Sequence, residues 1–183
     1  KNLGKLQDAE LSIRKALDIK PNFAEAHSNL GNILNHIGKL QDAELSIRKA
    51  IEMNPDLAMA HNNLGAILSD LGKSKEAELS TRKAIEINPD FANAHFNLGG
   101  TLKDLGKLKE AELSQRKAIE INPDYADAHS NLGSILKDCG KLLEAEKSYR
   151  KAIDLKPDDA EAYSNLGIIL KDLGKLKEAK SSY

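Results

Sequence analysis

One feature of this chain constrains its fold more than any other, and that feature is a period. Pro21, Pro55, Pro89, Pro123 and Pro157 follow one another at steps of 34 residues, and they are all the prolines the chain has. Gly31, Gly65, Gly99, Gly133 and Gly167 keep the same step, as do Gly38, Gly72, Gly106, Gly140 and Gly174. A fixed period of roughly 20–50 residues marks an array of stacked units, in which each unit buries its apolar face only against its neighbours. Counted with Ala24 as the first repeat position, the units are 24–57, 58–91, 92–125 and 126–159. Partial units occupy 1–23, beginning at the twelfth position, and 160–183, ending at the twenty-fourth. Both ends cut through a repeat, so the chain reads as a single array taken from a longer one.

Each unit reads as two helices. In the stretch AHNNLGAILSDLG, Leu64, Ile67, Leu68 and Leu71 recur at helical spacing and stop at Gly72, a residue suited to closing a helix. The second stretch, KSKEAELSTRKAIEI, runs to Asn88-Pro89, where proline cannot continue the helix. Asp56, Asp90, Asp124 and Asp158 follow the prolines and are expected to cap the next first helix; Asn22 with Glu25 and Asp158 with Glu161 have capping-box spacing. Glu44–Arg48, Glu78–Arg82, Glu112–Arg116 and Glu146–Arg150 are i,i+4 pairs of the favoured orientation. Glycine at the eighth position sits mid-helix, where it costs about 1 kcal/mol against alanine. Ala43, Ala77, Ala111, Ala145 and Ala179 suggest why it is there: small residues on the two facing helices let them approach closely.

Several function classes are excluded by composition. With 40% apolar and 30% charged residues the chain can bury a core. Its net charge of −1 offers no general attraction to nucleic acid or an anionic membrane. No apolar run approaches the roughly 18 residues of a membrane span, and the first residues carry no signal-peptide pattern. The lone Cys139 fits a reducing compartment, and a cytoplasmic location is expected. Cys139 also occupies the slot of Ile37, Leu71, Leu105 and Leu173, which makes it a small core hydrophobe rather than a nucleophile.

The residues His61-x2-Leu64-Gly65-x2-Leu68, then Ala77-x3-Thr81, then Pro89, with the same spacing in the other units, resemble the tetratricopeptide repeat pattern W-x2-L-G-x2-Y, A-x3-F, P. The resemblance spans essentially all 183 residues. It implies an all-α fold, a right-handed αα-superhelix of helix-turn-helix repeats. It departs at the large residues. His27, His61, His95 and His129 stand where Trp or Tyr is usual, although Tyr163 fits, and the second-helix aromatic becomes Ile47, Thr81 and Gln115 before Tyr149 restores it.

No catalytic constellation emerges, and neither an enzyme nor a cofactor is expected. LGKS at 71–74 lacks the earlier glycine of a phosphate-binding loop, since Ile67 stands there. The four in-register histidines lie on helices that pack about 8–10 Å apart, too far to share a zinc ion, so no metal site is expected.

Asn29, Asn63, Asn97, Asn131 and Asn165 recur at the sixth position. Asparagine is a mediocre helix former and expensive to bury without partners. In the family, positions 2, 5, 6, 9, 12 and 13 of the first helix line a concave groove. A primary amide there matches the N–H and C=O of an extended peptide. This series resembles the asparagine ladder in the tetratricopeptide superhelix of protein O-linked N-acetylglucosamine transferases, which implies main-chain binding by these five residues and no transferase activity. The chaperone-binding carboxylate clamp, which needs Lys or Arg at positions 2 and 6, is not matched. Asn62, Phe96 and Met59 stand nearby as specificity residues, with Lys103 and Lys137 on a mixed-charge rim. The expected partner is a protein or peptide, with no nucleic acid and no membrane. The alternative is structural assembly. Leu3, Leu6, Ile13 and Leu17 at one end and Ile169, Leu173 and Leu176 at the other would be exposed and would stack copies end to end.

Overall fold

The computed structural model describes residues 3–174, with side chains from residue 4 onward. Among these residues there are ten helices and no strands: α1 (Leu3–Ile19), α2 (Ala24–Ile37), α3 (Leu40–Met53), α4 (Ala58–Asp70), α5 (Ser74–Ile87), α6 (Ala92–Asp104), α7 (Leu108–Ile121), α8 (Ala126–Asp138), α9 (Leu142–Leu155) and α10 (Ala160–Asp172). They form two compact units that divide within α6, after Leu98. In the first unit α2 pairs with α3 and α4 with α5, while α1 lies against α2 and α3 against α4. In the second unit α8 pairs with α9, α7 lies against α8, and α10 lies against α9.

Punctuation explains where the helices end. Gly38, Gly72, Gly106, Gly140 and Gly174 have φ between 72° and 86°, the left-handed conformation that closes a helix. Behind Gly72 the chain doubles back: the Gly72 N–H donates to the Ser69 carbonyl and the Lys73 N–H to the Leu68 carbonyl, satisfying the last acceptors of α4. The second helices stop at Met53, Ile87, Ile121 and Leu155, each one residue before the residue that precedes proline. The aspartates after the prolines do not cap. The first helices start at alanine, which places Leu57 and Tyr125 at the cap position, each with no side-chain cap bond. Asp56, Asp90 and Asp124 lie one residue too early, and their N–H groups donate instead to the side chains of Asn54, Asn88 and Asn122 in tight turns. A side-chain cap is present on α10, where Asp159 rather than Asp158 accepts from the Ala162 N–H at 3.0 Å.

The core of the first unit is built from Leu30, Leu34, Ile47, Leu64, Ile67 and Leu68, with Ile13 and Leu17 packed against it. That of the second uses Leu132, Leu136, Tyr149, Leu166, Ile169 and Leu170, with Leu173 against it. Burying each large side chain contributes about 1.5–3 kcal/mol. The residues expected at the apolar end faces differ in burial. Ile169 is fully buried, and Leu6, Ile13, Leu17 and Leu173 are half-buried. The Leu3 side chain and Leu176 lie outside the described residues.

The mid-helix glycines have a more specific cause than small facing alanines. Ala43, Ala77, Ala111 and Ala145 are indeed fully buried, while Ala179 lies outside the described residues. The space a Cβ would need, however, is filled by the side chain at position 24 of the partner helix. A Cβ on Gly31 would lie 2.5 Å from Ile47 Cγ1, one on Gly99 2.5 Å from Gln115 Nε2, and one on Gly133 2.9 Å from Tyr149 Cδ2; at Gly65 it would collide with Thr81 Oγ1. Ile47, Thr81, Gln115 and Tyr149 are all fully buried. The position that departs from the family pattern is thus the central knob of each hairpin.

The outer surface of the second helices carries ion pairs that also tie one repeat to the next. Glu44 accepts from Arg48 within α3 and from Lys73, which opens α5, at 2.9 Å. Glu112 does the same with Arg116 and Lys141, and Glu10 with Arg14 and Lys39. Lys73 on Glu44, Lys141 on Glu112 and Arg14 on Glu10 are the strongest influences holding these carboxyls below 4.5. The folded values lie below the unfolded one, so this stabilisation is fully present above pH 4.5 and is lost as pH falls through the folded values. Urea midpoints should hold steady from neutral pH to about 5 and then fall, and Glu44→Gln should flatten that fall.

Candidate functional site

Position six lies two residues before the mid-helix glycine, about 200° around a helix that turns roughly 100° per residue. The glycine faces the second helix, so the asparagines are turned away from it. Asn29 on α2 is exposed and Asn63 on α4 is half-buried in the first unit; Asn131 on α8 and Asn165 on α10 are half-buried in the second. None of these four amides has a described hydrogen-bond partner within the protein. Asn97 differs, because its Nδ2 donates to the Asn62 Oδ1 at 2.9 Å. Asn62 is only 6% exposed, so its carbonyl is occupied inside the first unit. Asparagine at position 5 is what permits this rung, since the other units carry Ser28, Phe96, Ser130 and Ser164 there.

Around this face the remaining candidates separate. Met59 is 52% exposed on α4, and Phe96 is half-buried on α6. Lys103 Nζ donates to Ser134 Oγ at 2.6 Å and lies 3.6 Å from Asp138, so it bridges α6 and α8 within the second unit. Beneath it, burial pushes the Tyr149 phenol up to about 12; the adjacent Ser134 hydroxyl opposes the rise, and Asp138 and Glu161 add to it. Lys137, at the same repeat position on α8, has no described partner.

The histidines have a role the periodicity did not announce. His27, His61, His95 and His129 each place Nε2 at 2.8–3.0 Å from the carbonyl of the proline six residues earlier. A carbonyl only accepts, so Nε2 carries the hydrogen and donates it. Each ring thus pins the loop that enters its helix. A ring nitrogen committed in this way cannot also ligate a metal, and the described residues contain no cluster of metal-ligating side chains. Cys139 is half-buried at the end of α8. No described helix is long and apolar enough to cross a membrane. The sequence reading also missed a row of leucines at position 22: Leu11, Leu45 and Leu79 in the first unit and Leu113 in the second are 57–71% exposed.

Paired helices of fixed period with a polar stripe on the first helix define a helical-hairpin repeat protein. Sequence patterns of the Tetratricopeptide repeat match residues 24–57, 58–91 and 81–112, and those of the TPR repeat match 101–138 and 133–174. The chain belongs to the tetratricopeptide repeat family, with its all-α solenoid fold, and proteins of this kind are interaction scaffolds. Solved structures share the fold. The type IV pilus biogenesis factor PilW is 24% identical with a TM-score of 0.89, covering 97% of this chain and 82% of its own. MamA is 25% identical with a TM-score of 0.76, covering 84% and 90%. YrrB, described as a TPR protein with an unusual peptide-binding site, is 24% identical with a TM-score of 0.73, covering 93% and 88%. No curated protein matches the sequence.

Proposed function

We propose that the chain binds extended peptide through its position-six asparagines, with Asn29 and Asn63 acting in the first unit and Asn131 and Asn165 in the second. The observation that carries this reading is the set of four amides with no internal partner among the described residues, all on the side of the first helix away from its hairpin mate. Each amide offers two donors and an acceptor, which is what an extended main chain requires. Asn97 joins them through its carbonyl, its nitrogen being held by Asn62. Met59, Phe96 and Lys137 then select among sequences, while Lys103 and Asn62 order the surface. The peptide-binding relative YrrB supports the class of ligand.

The test is binding to a library of extended peptides, with helicity checked by circular dichroism. At roughly 1 kcal/mol per amide, Asn29→Ala/Asn63→Ala should weaken binding about thirtyfold, and Asn131→Ala/Asn165→Ala similarly. Unchanged affinity in both variants would overturn the proposal. End-to-end assembly is the lesser reading, since of the end residues invoked for it Ile169 is buried. The half-buried Leu6 and Leu173 and the 39%-exposed Ile168 remain available to it, and sedimentation at rising concentration tests it.

A further inference from the structure

The exposed leucines are not scattered. Leu11 on α1 and Leu45 on α3 form the two lips of a cleft of about 500 Å3 whose floor is Leu30 of α2. This cleft is on the outer side of the first unit, away from the asparagines. At 57% and 68% exposure its lips leave apolar surface in water that the fold does not use. Lys15 and Lys49 stand beside the leucines, four residues further along each helix, and neither has a described ion pair. On the same helices Arg14 is engaged by Glu10 and Arg48 by Glu44. Asp18 is the one carboxylate in the lining.

The second unit builds the same cleft in the same repeat register. There it is about 400 Å3, between α7 and α9, with Ile119 and Leu132 as its apolar surface. Lys147 replaces the leucine of the far lip, and Lys151 stands at the position of Lys49. Both again lack a described ion pair. Glu120 is already held by Lys117 at 2.7 Å. Both clefts therefore combine an apolar floor with lysines that have no described ion pair.

We infer that the α1–α3 cleft docks an acidic segment of a partner protein, which seats an apolar side chain between Leu11 and Leu45 and sets carboxylates against Lys15 and Lys49. Charge selects the occupant: an apolar segment alone would leave two cations facing it, and a basic segment would be repelled. The α7–α9 cleft takes the same class of segment with more weight on charge, since a lysine stands in place of one leucine. This site is separate from the asparagine face, and neither proposal depends on the other.

The test uses fluorescence anisotropy with a labelled peptide carrying one leucine flanked by glutamates, and a control with glutamine at every glutamate. The first peptide should bind saturably and the control should not. Lys15→Glu/Lys49→Glu should weaken binding roughly tenfold or more, with a further loss in high salt. Leu11→Ser/Leu45→Ser should also weaken it; all four positions are exposed, and circular dichroism confirms the fold. All of these measurements are made in an Asn29→Ala/Asn63→Ala/Asn131→Ala/Asn165→Ala background, so that the asparagine face does not contribute. Absence of saturable binding, or equal binding by the lysine variant, would overturn the inference. So would co-sedimentation with phosphatidylserine vesicles in the absence of peptide binding, which would assign the lysines and leucines to a membrane surface.

Discussion

Tyr149→Ala should destabilise the second unit by about 3–5 kcal/mol, the range for removing a buried aromatic ring. Tyr149 is the largest of the fully buried side chains and packs directly over Gly133. Whole domains are stable by only about 5–15 kcal/mol, so the variant should melt many degrees lower in a calorimetric scan. Tyr149→Phe keeps the ring and should cost about 1 kcal/mol or less. A large loss in the phenylalanine variant would mean the hydroxyl, not the packing, matters. Alkaline titration gives an independent check. The folded phenol is raised from 10 to about 12, so its contribution is complete below pH 10 and is lost as pH rises towards 12.

Gly31→Ala should destabilise the first unit by up to about 2 kcal/mol, although alanine is the better helix former. The intrinsic gain is about 1 kcal/mol. The new methyl would lie 2.5 Å and 2.6 Å from Ile47 Cγ1 and Cδ1 and 3.0 Å from the Ala43 carbonyl. Overpacking of this kind costs about 1–3 kcal/mol. Combining it with Ile47→Ala makes room, so the double variant should be more stable than the sum of the two losses by at least about 1 kcal/mol. Denaturant midpoints of the four proteins decide it, and strict additivity would refute the contact. Gly38→Ala is the useful contrast. No atom lies within 4 Å of its would-be Cβ, but its φ of 86° strains any other residue, so a loss of about 1–2 kcal/mol should persist whatever stands at position 47.

These two glycine series show how far the sequence could be read. Period, hairpins and helix ends were legible because glycine and proline act through their own backbones. The capping aspartates were misplaced by one residue because the turn after proline is closed by the preceding asparagine, and neighbouring polar residues compete for the same N–H groups. The partner of Gly31 was assigned to Ala43 because spacing along a helix names a face, whereas Ile47 reaches that face with a longer side chain. The asparagine stripe was visible as a pattern. Its one internally bonded member was not, since Asn62 and Asn97 are brought together by packing. The histidine–proline bonds were hidden for a different reason: their acceptor is a backbone carbonyl, which leaves no mark in sequence.

The widest sequence separation bridged by any described side-chain hydrogen bond or ion pair is 35 residues, as between Asn62 and Asn97. Every such contact closes within about one repeat. The contact order of this chain is therefore low, and low contact order goes with rapid folding, because little loop entropy is lost before contacts form. The time to fold should consequently follow the hairpin rather than the number of hairpins, and lengthening such an array by another repeat should leave the rate of forming each one nearly unchanged.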